Sequence, residues 1–99
     1  MGHRTAPEAE ADLDDIWQYI ATEGGSVETA DRLIESITRR FLLLASWPHM
    51  GRPRDDDLRP GVRTFPVGDY AIAYRLEGHD VLILRVLRGS RDIEKLLGH

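Results

Sequence analysis

GRPRDDDLRPGVRTFPVGDYAIAYRLEGHDVLILRVLRGSRDI, residues 51–93, is the stretch that decides the fold. It contains three runs rich in β-branched and aromatic residues, at 62–67, 70–76 and 81–87, and these predict strands. Only Gly68-Asp69 and Glu77-Gly78-His79-Asp80 separate them, and connections this short require antiparallel neighbours. Alternation in the middle run sets Tyr70, Ile72, Tyr74 and Leu76 on one face, with Ala71, Ala73 and Arg75 on the other. The last run, VLILRVL, is apolar on both faces except at Arg85, as expected of a central strand. Eight arginines punctuate the stretch: Arg52, Arg54, Arg59, Arg63, Arg75, Arg85, Arg88 and Arg91. Their planar guanidinium groups suit carboxylate or phosphate partners.

Upstream, PHMGRPRDDDLRPG at 48–61 has the proline, glycine and charge content of a loop, and its length is of the kind that often carries function. Before it lie two helical patterns. The first spans about 7–23: Pro7 suits the first helical position, Glu8 and Glu10 favour the positive end, and Ala9, Leu13, Ile16, Trp17 and Ile20 recur at helical spacing. Asp12, Asp14, Asp15 and Gln18 are assigned to its water face. Gly24-Gly25 ends it, and Ser26 caps a second helix that runs to about Trp47, where Pro48 stops it. Its stripe is Ala30, Leu33, Ile34, Ile37, Phe41 and Leu44, while Leu42 and Leu43 widen the apolar surface beyond one stripe. A core of Trp17, Ile20, Leu33, Ile37 and Phe41 against Ile72, Ile83 and Val86 follows. Residues 3–6 read as a short first strand, and residues 93–97 as a final turn or tail.

The whole is one α+β domain over residues 1–99, a helix hairpin packed on a small antiparallel sheet. With no cysteine there is neither a disulfide framework nor a thiolate metal site or nucleophile. His3, His49, His79 and His99 lack ligand spacing, and Asp55-Asp56-Asp57 lacks the alternation of a calcium loop, so no metal or other cofactor is expected. No apolar run approaches the roughly 20 residues of a membrane span, and MGHRTAPEAE lacks an apolar signal core, so a cytoplasmic setting is expected. Formal net charge is −4, which argues against broad nucleic-acid binding. The charge is uneven: residues 1–40 hold four basic residues against nine acidic, residues 41–99 nine against eight.

Taken in order and spacing, PEAEADLDDIWQYI at 7–20, GRPRDDDLRPGVR at 51–63, YAIAYR at 70–75 and ILRVLRGSRDI at 83–93 resemble the ParE/RelE toxin superfamily, and ParE more than RelE. The resemblance covers nearly the whole chain. It implies a β-α-α-β-β-β fold, neutralisation by a wrapping cognate antitoxin of the ParD kind, and, for ParE members, inhibition of DNA gyrase. It implies no direct sequence-specific nucleic-acid binding by the toxin alone. Two departures stand out: Arg88 replaces a histidine that many relatives carry, and the loop holds three consecutive aspartates.

RelE-type members cut messenger RNA, which requires a base, an acid and cations around the phosphorane. Arg63, Arg85 and Arg91 supply cations, but acid–base candidates are poor: arginine stays protonated, Lys95 is the only lysine, and His79 falls in a hairpin turn. Tyr70 and Tyr74 are the remaining candidates, and strand aromatics are more often core. The preferred reading is a gyrase-inhibiting binding protein without catalytic residues. A ribosome-dependent ribonuclease and a non-toxic member of the fold are the alternatives. Arg63, Arg85, Arg88 and Arg91 are assigned to target binding, and Leu42, Leu43, Val81 and Leu82 to the antitoxin surface. For Arg85 an internal ion pair is an equal reading, since a charge in an apolar strand must be paired or solvated. Arg52, Arg54 and Arg59 read as a solvated loop segment beside the aspartates.

Overall fold

Helix α1 (Pro7–Glu23) opens on Pro7 after an extended Ala6, so the missing proline N–H falls where no helical partner exists. It closes with the Gly24 N–H donating to the Ile20 carbonyl, and helix α2 (Val27–Ser46) begins three residues later. The Ser26 hydroxyl caps α2 by accepting from the Thr29 N–H at 3.0 Å. The computed structural model describes residues 2–97.

Five strands form one sheet in the order β1-β5-β4-β3-β2: β1 (His3–Thr5), β2 (Arg52–Pro53), β3 (Arg63–Val67), β4 (Tyr70–Glu77) and β5 (Asp80–Arg88). The meander β3-β4-β5 is antiparallel as expected. The sheet as a whole is mixed, because β1 crosses through the helix hairpin and pairs parallel with β5, His3 opposite Val81 and Thr5 opposite Ile83. Strand β2 is a two-residue edge inside the expected loop, with Arg52 opposite Thr64.

The hairpin covers one sheet face. Ile37, Phe41, Leu44, Ile72, Tyr74, Val81, Ile83 and Val86 are buried together, with Ile20 and Leu33 packed against them. Trp17 departs from the expected core: it is half-buried, and its indole N–H donates to Asp31 at 2.8 Å across the hairpin. The opposite face has its own cluster, Leu58, Val62, Ala73, Leu87, Ile93 and Leu97. Ile93 and Leu97 belong to a third helix, α3 (Gly89–Leu97), where a turn or tail was expected. Their i, i+4 spacing seats one helical face on the sheet and the 54–62 loop.

The register of β4 with β5 shifts between Ala73, opposite Arg85, and Tyr74, opposite Ile83, which leaves Leu84 as the extra residue of a bulge. On the β1 side of β5, no described strand continues beyond Thr5, which lies opposite Ile83. Helix α1 takes over that edge, and Asp12 accepts a hydrogen bond from the Val86 N–H at 2.9 Å. Asp12 is therefore buried, not on the water face as expected, because it serves as acceptor for a strand edge whose partner has ended. No described helix is long and apolar enough to cross a membrane.

Candidate functional site

Arg85 sits at the bulge, and Asp12 holds it: Nε and Nη2 each donate to a carboxylate oxygen at 2.8 Å. The hydrogen bonding to Asp12 raises the guanidinium above its ordinary value, against the opposing effect of burial. Arg85 thus has a structural duty. Its assignment to target binding is corrected to that extent, because a fork filled by one carboxylate has little left for a second.

Arg63 and Tyr74 act on a different segment. Tyr74 is buried, donates its hydroxyl proton to the Pro48 carbonyl at 2.8 Å and accepts from the Gly51 N–H at 2.8 Å. Burial raises its phenol above the ordinary 10.0, with the Gly51 bond and Arg63 pulling the other way. Arg63 Nη1 donates to the carbonyls of His49 and Gly51 at 3.2 and 2.7 Å. A side chain on Gly51 would run into the Tyr74 ring, so glycine is required for this approach. Four hydrogen bonds from the sheet therefore fix the turn that ends α2.

That turn presents exposed apolar groups. Trp47 is 66% exposed, Leu42 61%, and Leu43 and Met50 40% each. Adjacent helix positions diverge, however: Leu42 lines a concavity with His3, Thr5 and Phe41, whereas helical spacing puts Leu43 on the stripe of Ser36, Arg40 and Trp47. Val81 and Leu82 do not join them. Val81 is fully buried beneath the hairpin and cannot line a surface, which corrects its assignment to the antitoxin groove. Leu82 is half-buried on the other sheet face, opposite Arg4 and Arg75 on its two neighbours.

The long loop is more ordered than its composition implies. Arg54 is buried, makes a forked pair with Asp57 at 2.6 to 3.0 Å and donates to Thr64 Oγ1 at 3.1 Å. The Asp57 hydrogen bond raises Arg54 and lowers Asp57 relative to their ordinary values. Asp55 accepts from the Gly61 N–H at 2.7 Å. Two of the three aspartates thus shape the loop from within, and Arg54 is not the solvated residue expected.

Arg88, at the end of β5, is exposed and lines a cleft with Arg40, Tyr19 and Tyr70. Arg40 went unremarked in the sequence because it reads as an ordinary helix-face cation. The side chain of Arg91 lies outside the described residues. Among the described residues no group of three or more His, Asp or Glu is arranged to hold a metal ion.

These features meet a known pattern. The family described as ParE toxin of type II toxin-antitoxin system, parDE, matches residues 4–93. Toxin ParE3 of Caulobacter vibrioides is 40% identical over 95 residues, covering 96% of this chain and 92% of that protein. Toxin ParE1 of the same organism is 38% identical over 96 residues, 97% of each. Among solved structures, the chromosomal ParDE TA system from P. aeruginosa superposes with a TM-score of 0.74 at 28% identity, over 90% of this chain and 96% of that one. The chain belongs to the ParE toxin family of type II toxin–antitoxin systems.

Proposed function

We propose that this chain is a toxin that acts by binding, inhibits DNA gyrase, and is held inactive by a cognate antitoxin of the ParD kind. Family membership and the ParDE neighbour support the toxin–antitoxin part. The observation that carries the binding mode is the internal commitment of three of the groups named for an RNA-cleaving site. Arg85 is held by Asp12, Arg63 by two backbone carbonyls, and the Tyr74 hydroxyl by Pro48 and Gly51. A general acid or base needs a proton free to move to substrate, and a buried phenol raised above its ordinary value and bonded on both sides is a poor one. Surface recognition asks less of these residues. The rigid turn carrying Trp47 and Met50, with Leu42 and Leu43 beside it, offers the aromatic and apolar anchors that protein partners use.

The test is a supercoiling assay with the purified chain beside a translation assay that reads cleavage of ribosome-bound messenger RNA. Loss of supercoiling with messenger intact is expected, and addition of the antitoxin should restore gyrase. Cleaved messenger with gyrase still supercoiling would overturn the proposal in favour of a ribonuclease.

A further inference from the structure

Arginine pairing in this chain is lopsided. Arg4, Arg32, Arg39, Arg54, Arg75 and Arg85 each have a carboxylate partner. Arg52, Arg59, Arg63, Arg40 and Arg88 have none among the described residues, and of these Arg40 and Arg88 share one cleft. Arg40 Nη1 reaches only the carbonyl and hydroxyl oxygens of Ser36 on its own helix, both at a long 3.3 Å. These two cations come from different elements, α2 and the end of β5, yet line one concavity of about 450 Å³ with Tyr19 and Tyr70. Asp69 lines it too, but makes an ion pair with neither arginine; its carbonyl accepts from the Gly89 N–H.

We propose that the cleft between Arg40 and Arg88 is a seat for a carboxylate carried by the antitoxin. The proposal rests on the toxin–antitoxin reading and deepens it by naming where the partner's acid goes. Two cationic residues lining one open cleft repel each other, and a carboxylate entering it offsets that repulsion and offers each fork an acceptor. The tyrosines supply flat apolar walls that exclude water from the pair and strengthen it. A second concavity of about 330 Å³ shares Tyr19, Tyr70 and Arg88 and adds Ile16, Val86 and Leu87 together with Asp12 and Asp15. Asp12 is already taken up by Arg85, and Asp15 disfavours a second acid there, so the occupant's acid belongs on the Arg40 side and an apolar side chain of the same segment on this one.

A protein segment is favoured over a free anion by continuity with the exposed apolar strip. Arg40, Leu43 and Trp47 follow at i, i+3 and i+7 on the outer face of α2, so a segment anchored on Leu43 and Trp47 meets Arg40 about 10 Å further along the helix. Leu43 and Trp47 are unpartnered in the free chain, 40% and 66% exposed.

Calorimetric titration of the full chain with its full-length cognate antitoxin tests this, using wild type, Arg40→Ala, Arg88→Ala and the double variant. Each single change should weaken binding at least about tenfold and flatten its salt dependence. The double should weaken it by less than the product of the two, because both cations serve one anion. Lysine at either position should restore only part, since charge returns without the fork. Thermal midpoints should stay at the wild-type value, as neither residue holds an internal ion pair. If wild type binds the antitoxin and the variants bind equally well, the carboxylate seat is wrong while the toxin–antitoxin reading stands. If the variants keep antitoxin affinity but lose gyrase inhibition, the cleft belongs to the target and the proposal is likewise overturned. If wild type binds no antitoxin at all, the parent reading fails and takes this one with it.

Discussion

Replacing Asp12 with alanine should be among the most damaging single changes in this fold. Asp12 is 8% exposed and accepts three hydrogen bonds, two from Arg85 at 2.8 Å and one from the Val86 N–H at 2.9 Å. Alanine leaves that buried N–H without an acceptor, at a cost of about 1–3 kcal/mol. It also strips the partner from a guanidinium that is only 24% exposed. Breaking a buried pair from one side costs about 3–5 kcal/mol, and the remaining water contact of Arg85 keeps the total near that range. Against a domain stability of about 5–15 kcal/mol the loss is a large share, and the thermal midpoint should fall by more than about 12 °C.

Urea unfolding followed by circular dichroism separates the two contributions. Asp12→Asn keeps an acceptor and removes the charge, so it should cost less than alanine. The double variant Asp12→Leu with Arg85→Leu removes both charges but still orphans the Val86 N–H, so about 1–3 kcal/mol should remain missing. Wild-type stability in that double variant would refute the idea that Asp12 substitutes for a strand partner at the β5 edge. An unchanged midpoint for Asp12→Ala would refute the whole account of the bulge.

Phe41 is 2% exposed within the hairpin core, so Phe41→Ala should cost about 3–5 kcal/mol in the same unfolding assay; an unchanged midpoint would mean the helix faces are misassigned. The Tyr74 phenol is raised above its ordinary value of 10.0 by burial, so the folded state resists its ionisation more than the unfolded state does. The stability it contributes is therefore complete below about pH 10 and is lost as pH rises through the folded value. In an ultraviolet titration, one of the three tyrosines should ionise late and together with alkaline unfolding, and Tyr74→Phe should remove that step. Three tyrosines ionising together on an intact fold would contradict it.

The hairpin and the meander were legible because their periods differ and explicit breakers bound them: Pro7, Gly24-Gly25 and Pro48 for the helices, and Gly68-Asp69 and Gly78 for the turns. What escaped had a weaker or a non-local signal. Asp12 lies three residues after Ala9 and four before Ile16, so the spacing already placed it in the buried stripe; only its charge argued for the water face. Helix α3 showed Ile93 and Leu97 at i, i+4, too short a run to separate a helix from a turn. The bulge could not be read at all, because strict alternation from Val81 puts Arg85 on the face that Val86 occupies once Leu84 is extra.

The arginines show why a candidate site is harder to read than a fold. Their number and strand positions are visible in the sequence, but whether each is free depends on partners far along the chain; Asp12 and Arg85 are 73 residues apart. Once pairing is known, the cluster divides. Arg54 and Arg85 hold the fold together, and Arg63 fixes the turn that presents Trp47. Arg88, marked in the sequence as a departure from the family and assigned to target binding, shares its cleft with Arg40, which no motif distinguished. A guanidinium already held by a carboxylate offers little to a partner, so recognition should concentrate where the chain leaves cations unmatched beside aromatic walls.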